Sequence, residues 1–214
     1  MSNPALDKSY ENLSHTDYVL FVDETYNAPG EEMEHTFYTV CGVLIKASLL
    51  VDTRQEIDEI VDDYFWHTTD ALRTSEGRAT AVELLQFCEE VDDLYFVAHK
   101  MPLQPGDNME NARQACLRAL FSHVENGHNA KLIVMEKRQD NAHDDADRRL
   151  LKHLRSERVV SRGTQLLLVS PRHEHLLWLP DLIAMAFRRK ITHKDETSTY
   201  FKEYVEGSTT VLET

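Results

Sequence analysis

Four carboxylates stand where an α/β protein does chemistry. Asp23 and Glu24 close the apolar run Tyr18–Val22 in "YVLFVDETYN", Glu136 closes a second run in "LIVMEKR", and Asp181 follows Pro180 in "LLWLPDLIAMAFRRK". In α/β sheets, functional groups gather where parallel strands end at their carboxyl edges. If the runs ending at Asp23 and Glu136 are adjacent parallel strands, their carboxylates emerge side by side. A helix carrying Asp181 across that edge then completes a trio. Three crowded carboxylates raise one another's pKa, and a divalent cation removes the conflict. Mg²⁺ or Mn²⁺ is the expected cofactor, because hard oxygen donors suit both. Two such ions about 3.5–4 Å apart serve in-line phosphoryl displacement, one activating water and the other holding the leaving oxygen.

Each acid also has a plainer account. Asp23–Glu24 can start a turn, Asp181 can favour a helix N-terminus by about 0.3–1 kcal/mol, and Glu136 can pair with Lys137 or Arg138 on the surface. Their joint placement at the ends of buried elements is what points to Asp23, Glu136 and Asp181 as catalytic metal ligands. Glu24 joins them only if the chain turns there; on a continuing strand it faces the opposite way.

Three further residues are candidates for contacting a substrate. His67, in "FWHTTD", suits a proton shuttle or a phosphate contact, against the simpler account of a polar loop histidine. Arg138 is two residues beyond Glu136 and on a continuing strand shares its face. Arg78, at a helix start, suits an anion. Arg148, Arg149, Lys152 and Arg155 share one helix and either follow a phosphate backbone or form a solvated basic face. His173 and His175 have too common a spacing to claim zinc.

These residues need elements to position them. Tyr18–Val22 and "TFYTVCGVLI" (36–45) predict two strands forming a hairpin, joined by the polar connection 25–35. Further strands are predicted over 94–100, 131–137 and 164–170, where apolar runs suit strands buried on both faces. Helices are predicted over 48–66, 77–91, 109–127, 144–159 and 176–190. In the first, Ser48 is the expected cap, and Leu49, Leu50, Ile57, Ile60, Val61 and Tyr64 turn inward. In the second, Val82, Leu85, Phe87 and Cys88 do so. In the last, Leu179, Leu182, Ile183 and Ala186 follow the i, i+3, i+4, i+7 rule. This order predicts an α/β domain with a mixed five-stranded sheet and helices on both faces. It spans 18–190, between a polar N-terminal arm (1–17) and a C-terminal extension (191–214).

The 214 residues suit one large domain. No apolar run approaches bilayer length and the N-terminus lacks the blocks of a signal peptide, so a cytoplasmic protein without membrane contact is expected. Cys41, Cys88 and Cys116 are expected as buried free thiols. The net charge of −14 argues against nucleic acid, yet residues 137–194 hold 13 of the 23 Lys and Arg and only 7 of the 37 Asp and Glu. That basic segment is the expected nucleic-acid contact, with chance clustering as the alternative.

The motifs resemble a bacterial family, domain of unknown function 3800. "FVDETYN…FYTVCGVLI" resembles its opening strand, Asp-Glu and second strand. "LIVMEKR" is similar to its acidic strand end, and "LLWLPDLIAMAFRR" to its closing Leu-rich approach to an Asp. "FWHTTDALRTSEGRATAVELL" is similar to a His-containing segment followed by an Arg entering a helix. The resemblance covers roughly residues 18–190. Tyr26 stands where family members often have Gly, which tightens the turn and narrows access to the site. The resemblance implies a ribonuclease H-like fold and two-metal phosphodiester chemistry, with Asp23, Glu136 and Asp181 as ligands and Glu24 as a candidate fourth. A metal-dependent nuclease is therefore expected. The alternatives are a non-catalytic binding or interaction protein that keeps the fold, and a hydrolase of a small phosphorylated molecule.

Overall fold

The computed structural model describes residues 3–29, 35–63, 65–91, 93–138 and 141–214. Strands β1 (Tyr18–Asn27) and β2 (Phe37–Lys46) form an antiparallel hairpin whose register runs from Tyr18↔Lys46 to Asn27↔Phe37. β3 (Leu94–Lys100) continues antiparallel on β2. On the other side of β1, β4 (Leu132–Glu136) and then β5 (Gln165–Val169) pair in parallel. β6 (Thr209–Glu213) pairs in parallel with β3. The order is β5-β4-β1-β2-β3-β6. The fold is thus α/β with a mixed sheet, as the apolar runs predict, but the sheet has six strands where five were expected. β6 gives little sequence signal because it is short, holds only two apolar residues and lies at an edge; its Val211 is exposed.

The helices, in chain order, are α1 (Pro4–Glu11), α2 (Leu50–Val61), α3 (Thr68–Ala71), α4 (Ser75–Glu90), α5 (Met109–Gly127), α6 (Asn141–Ser156) and α7 (Trp178–Thr192). Alternate strand residues point to opposite faces. Val19, Phe21, Val43, Val97 and Val134 pack into one core with α2, α4 and α7. Leu20, Val22, Val40, Ile133 and Met135 pack into the other with α5 and α6. Covering both faces explains why β1, β2 and β4 carry nearly unbroken apolar runs. α7 is buried almost all round: Trp178, Leu179, Leu182, Ile183, Ala184, Ala186 and Phe187 are inside. Asp181, in its first turn, breaks that pattern.

Several expectations are revised. The N-terminal arm is not loose. Asn3 caps α1, Leu6 is buried, and the Tyr10 hydroxyl donates to Glu174 Oε2 at 2.6 Å. Ser48 caps nothing, because a short 3-10 turn (Ala47–Leu49) precedes α2. α2 ends at Val61, where Asp62 takes a left-handed conformation (φ 48°). Tyr64 lies outside the described residues. In α4 the stripe is Ala81, Leu84, Leu85 and Cys88, with Val82 and Phe87 only half-buried. The C-terminal extension gives the sheet β6 and the core Phe201 and Val205. β1 also runs five residues past the expected Val22, so Thr25–Asn27 are strand and no turn follows Asp23.

Candidate functional site

The register of the parallel pair β1–β4 builds the first half of the site. Val22↔Met135 is its last pair, so one more residue on each strand gives Asp23 and Glu136. Phe21 and Val134, two residues back, lie in the α7-side core. Alternation therefore puts Asp23 and Glu136 on that same face. α7 crosses this face and brings Asp181 from its first turn into contact with Asp23. The start of α3 closes the other side: the Thr68 N–H donates to Asp181 Oδ2 at 3.4 Å. His67, immediately before Thr68, is near enough for its charge to act on both Asp181 and Glu136. α3 can lie this close to α4 because of Gly77, where a Cβ would stand 2.1 Å from the Ala71 carbonyl oxygen.

The electrostatics of the trio are adverse. Burial, then the charges of Asp181 and Glu136, hold the Asp23 carboxyl well above the usual carboxylate range. Burial raises Asp181 as well, against hydrogen bonds from Thr68 and Asp23. Burial and then the Asp181 charge raise Glu136, which lies nearer the surface. Cys41, opposite Asp23 on β2, is a buried free thiol whose pKa is raised by burial and by the two aspartates. Among the described residues no lysine or arginine forms a salt bridge with Asp23, Glu136 or Asp181.

The opposite face of β1 is arranged differently. Because the strand continues, Glu24 points away from Asp23 and accepts from Arg113 Nε at 2.5 Å. The Arg113 guanidinium also forks onto both oxygens of Asp147 on α6, with Nη2 to Oδ2 at 3.1 Å. Glu24 is thus neutralised by Arg113, while it still lines one cleft with Asp23 and Glu136 and its charge acts on both. Arg113 and Asp147 are buried. The carboxylates around Arg113 more than offset the cost of burying its charge. Tyr38 reaches Glu24 with its hydroxyl. A cleft of about 390 Å³ opens where β4 stops and β1 runs on, lined by Val22, Asp23, Glu24, Tyr26, Glu136 and Arg138 among others.

Arg138 and Arg78 are placed otherwise than expected. β4 ends at Glu136 and the Lys137 N–H bonds the Val169 carbonyl, so Arg138 is not on a continuing strand. Its backbone N–H donates to Asp144 Oδ1 at 3.1 Å and its Nη1 to Glu110 Oε2 at 3.2 Å, which turns it toward α5 and α6 at the edge of the cleft. Arg78 lies in the first turn of α4, bridges to Glu196 at 2.9 Å and lines a separate groove with Tyr200. On the basic helix, Arg148 pairs with Asp145, and Arg155 donates to the Thr164 carbonyl. His175 bonds Asp58 at 2.6 Å and stacks on Trp178, a structural link between α2 and α7.

Arg113 and Asp147 were missed from sequence, though a signal existed. Ala112, Arg113, Cys116, Leu117, Leu120 and Phe121 form the buried stripe of α5, and an arginine inside such a stripe requires a buried anion. Asp147 stands in the same relation to Leu151 and Leu154 on α6.

Among the described residues, no group of three or more His, Cys, Asp or Glu side chains is gathered tightly enough to hold a metal ion. Asp23 and Asp181 touch, while Glu136 raises the Asp23 pKa through its charge and is itself raised by that of Asp181. The donor set nonetheless has the chemistry of a hard-cation site: oxygen ligands, partial burial, and mutual repulsion that no lysine or arginine bridge relieves. No helix among the described residues is long and apolar enough to cross a membrane. Comparison with family models and with curated proteins gave no match to this chain.

Proposed function

We propose that this protein is a divalent-metal-dependent phosphodiesterase with a ribonuclease H-like fold, acting on nucleic acid at Asp23, Glu136 and Asp181. One observation carries the reading: three carboxylates lie on one face, Asp23 on β1 where its pairing with β4 stops, Glu136 at the end of β4 and Asp181 on α7, and none is bridged by an arginine or lysine among the described residues. The mixed sheet supports the fold assignment, with antiparallel β1-β2-β3 continued by parallel β4 and β5 beside β1.

Asp23 and Asp181 would hold Mg²⁺ or Mn²⁺ from the buried side and Glu136 from the cleft. When bound, such a cation supplies a Lewis acid at a phosphoryl oxygen and lowers the pKa of a coordinated water. The chain's own contribution is positional. α7 fixes Asp181 against Asp23, Thr68 orients the Asp181 carboxyl, and His67 stands at the edge of the site. Lys137, Arg138 and the basic segment 137–194 would meet the phosphates. The free, buried Cys41, Cys88 and Cys116 agree with a reducing, cytoplasmic setting.

The test is cleavage of RNA and DNA oligonucleotides by purified protein with Mg²⁺ or Mn²⁺. Hydrolysis is expected in the wild type and not in Asp23→Asn or Asp181→Asn; equal cleavage by all three sinks the reading. A non-catalytic binding protein is the second reading. It is favoured by Glu136 standing apart from the Asp23–Asp181 pair, so that the trio is not closed round an ion. Titration calorimetry separates the two: no uptake of Mg²⁺ or Mn²⁺, with oligonucleotide present, selects the second.

A further inference from the structure

Tyr26, the penultimate residue of β1, lines the same cleft as Asp23 and Glu136, and 52% of its surface is exposed although the strand is paired there. Its ring is fixed. Tyr26 pairs across the hairpin with Tyr38, and the two rings stack at 5.5 Å with planes 10° apart. Tyr38 is itself buried, with its hydroxyl on Glu24, and Glu24 is held by Arg113. The network behind β1 thus supports an aromatic ring that stacks one face on Tyr38 and remains half exposed among the described residues. Lys137 and Arg138 line the cleft beside it.

The lining is mixed, with Lys137 and Arg138 beside the acids Asp23, Glu24 and Glu136, but cations next to an exposed ring are the pattern by which proteins take single-stranded nucleic acid: cations follow the phosphates and each aromatic stacks one base. A cleft of about 390 Å³ is near the lower end for ligand sites, enough for one splayed nucleotide and too small for a base pair. We infer that Tyr26 is a base-stacking platform that selects single-stranded over duplex nucleic acid, seating one unpaired base while the adjoining phosphodiester lies at Asp23 and Glu136. This deepens the phosphodiesterase reading and rests on it only for where the phosphate lies.

The test measures binding rather than turnover. The double variant Asp23→Asn/Asp181→Asn removes the charge that opposes a phosphate and blocks cleavage. It is titrated with a single-stranded oligonucleotide carrying one 2-aminopurine, and with the same sequence as a duplex. Base fluorescence should be quenched on binding the single strand, with at least about ten-fold weaker affinity for the duplex. Adding Tyr26→Ala should weaken single-strand binding roughly ten-fold or more, the range of one lost stacking contact, and abolish the quench. Tyr26→Trp should retain both, with the melting temperature of each variant confirming the fold. Equal affinity for duplex and single strand, no binding, or an undiminished affinity in Tyr26→Ala overturns the inference. Wild-type cleavage together with an inert Tyr26→Ala defeats the platform alone. Tyr26-dependent binding in a protein that never cleaves defeats the phosphodiesterase alone.

Discussion

Two carboxylate clusters lie back to back across β1. On the α5–α6 face, Glu24 and Asp147 close on the buried guanidinium of Arg113. On the α7 face, Asp23 and Asp181 touch, with Glu136 and the His67 imidazole beside them. Glu24 and Asp23 are consecutive residues, so the strand's alternation alone assigns them to these opposite situations. The first cluster is complete within the chain. The second holds carboxyls whose pKa values are raised because burial and like charge act without a bridging lysine or arginine. A third cluster, Glu174 with Tyr10 and Arg54, shows the complete kind again, pinning α1 to the core. Two of the three clusters thus hold an arginine, and among the described residues the trio of Asp23, Glu136 and Asp181 holds none.

Variants that break this contrast should differ in sign as well as size. The largest effect is expected from Arg113→Met, which strands Glu24 and Asp147 without their cation. Losing one partner of a buried charge network costs about 3–5 kcal/mol, readable as a lower urea midpoint. Next comes the cation itself: Mg²⁺ at 100 times its Kd should stabilise the wild type by about 2.7 kcal/mol. The shift in melting temperature should shrink in Asp181→Asn and persist in Tyr10→Phe.

Asp23→Asn should do the reverse of Arg113→Met and stabilise the cation-free protein at neutral pH, on the order of 1 kcal/mol or more. Folding raises the pKa values of Asp23, Asp181 and Glu136. Their protonated forms therefore favour the native state fully below the unfolded-state values near 4, and that contribution is lost as pH rises through the higher folded values. The stability gap between Asp23→Asn and wild type should accordingly widen as pH rises from 4 toward 8. A gap independent of pH would show that the trio is not electrostatically strained. The smallest effect is expected from Tyr10→Phe, which removes one hydrogen bond to Glu174 and should cost about 1 kcal/mol with no change in the response to Mg²⁺.

Much of this arrangement was legible in local pattern. Unbroken apolar runs leading to Asp23 and Glu136 suit strands buried on both faces, as β1 and β4 are, and hydrophobic spacing predicted α5 and α7 with Asp181 at a helix start. Period-two alternation already separated Asp23 from Glu24 on a continuing strand. Other features rest on groups distant in sequence and had to wait for tertiary structure. That β4 lies beside β1, in the register that sets Glu136 next to Asp23, depends on long-range pairing. That Glu24 is neutralised depends on two helices converging at Arg113. β6 was illegible because an edge strand needs little apolar surface. Arg78 was misassigned because a helix start marks where an anion can bind, while its partner, Glu196, is supplied by a distant segment. Local pattern reports which way a side chain faces; which charge it meets there is set by the packing of elements far apart in the chain.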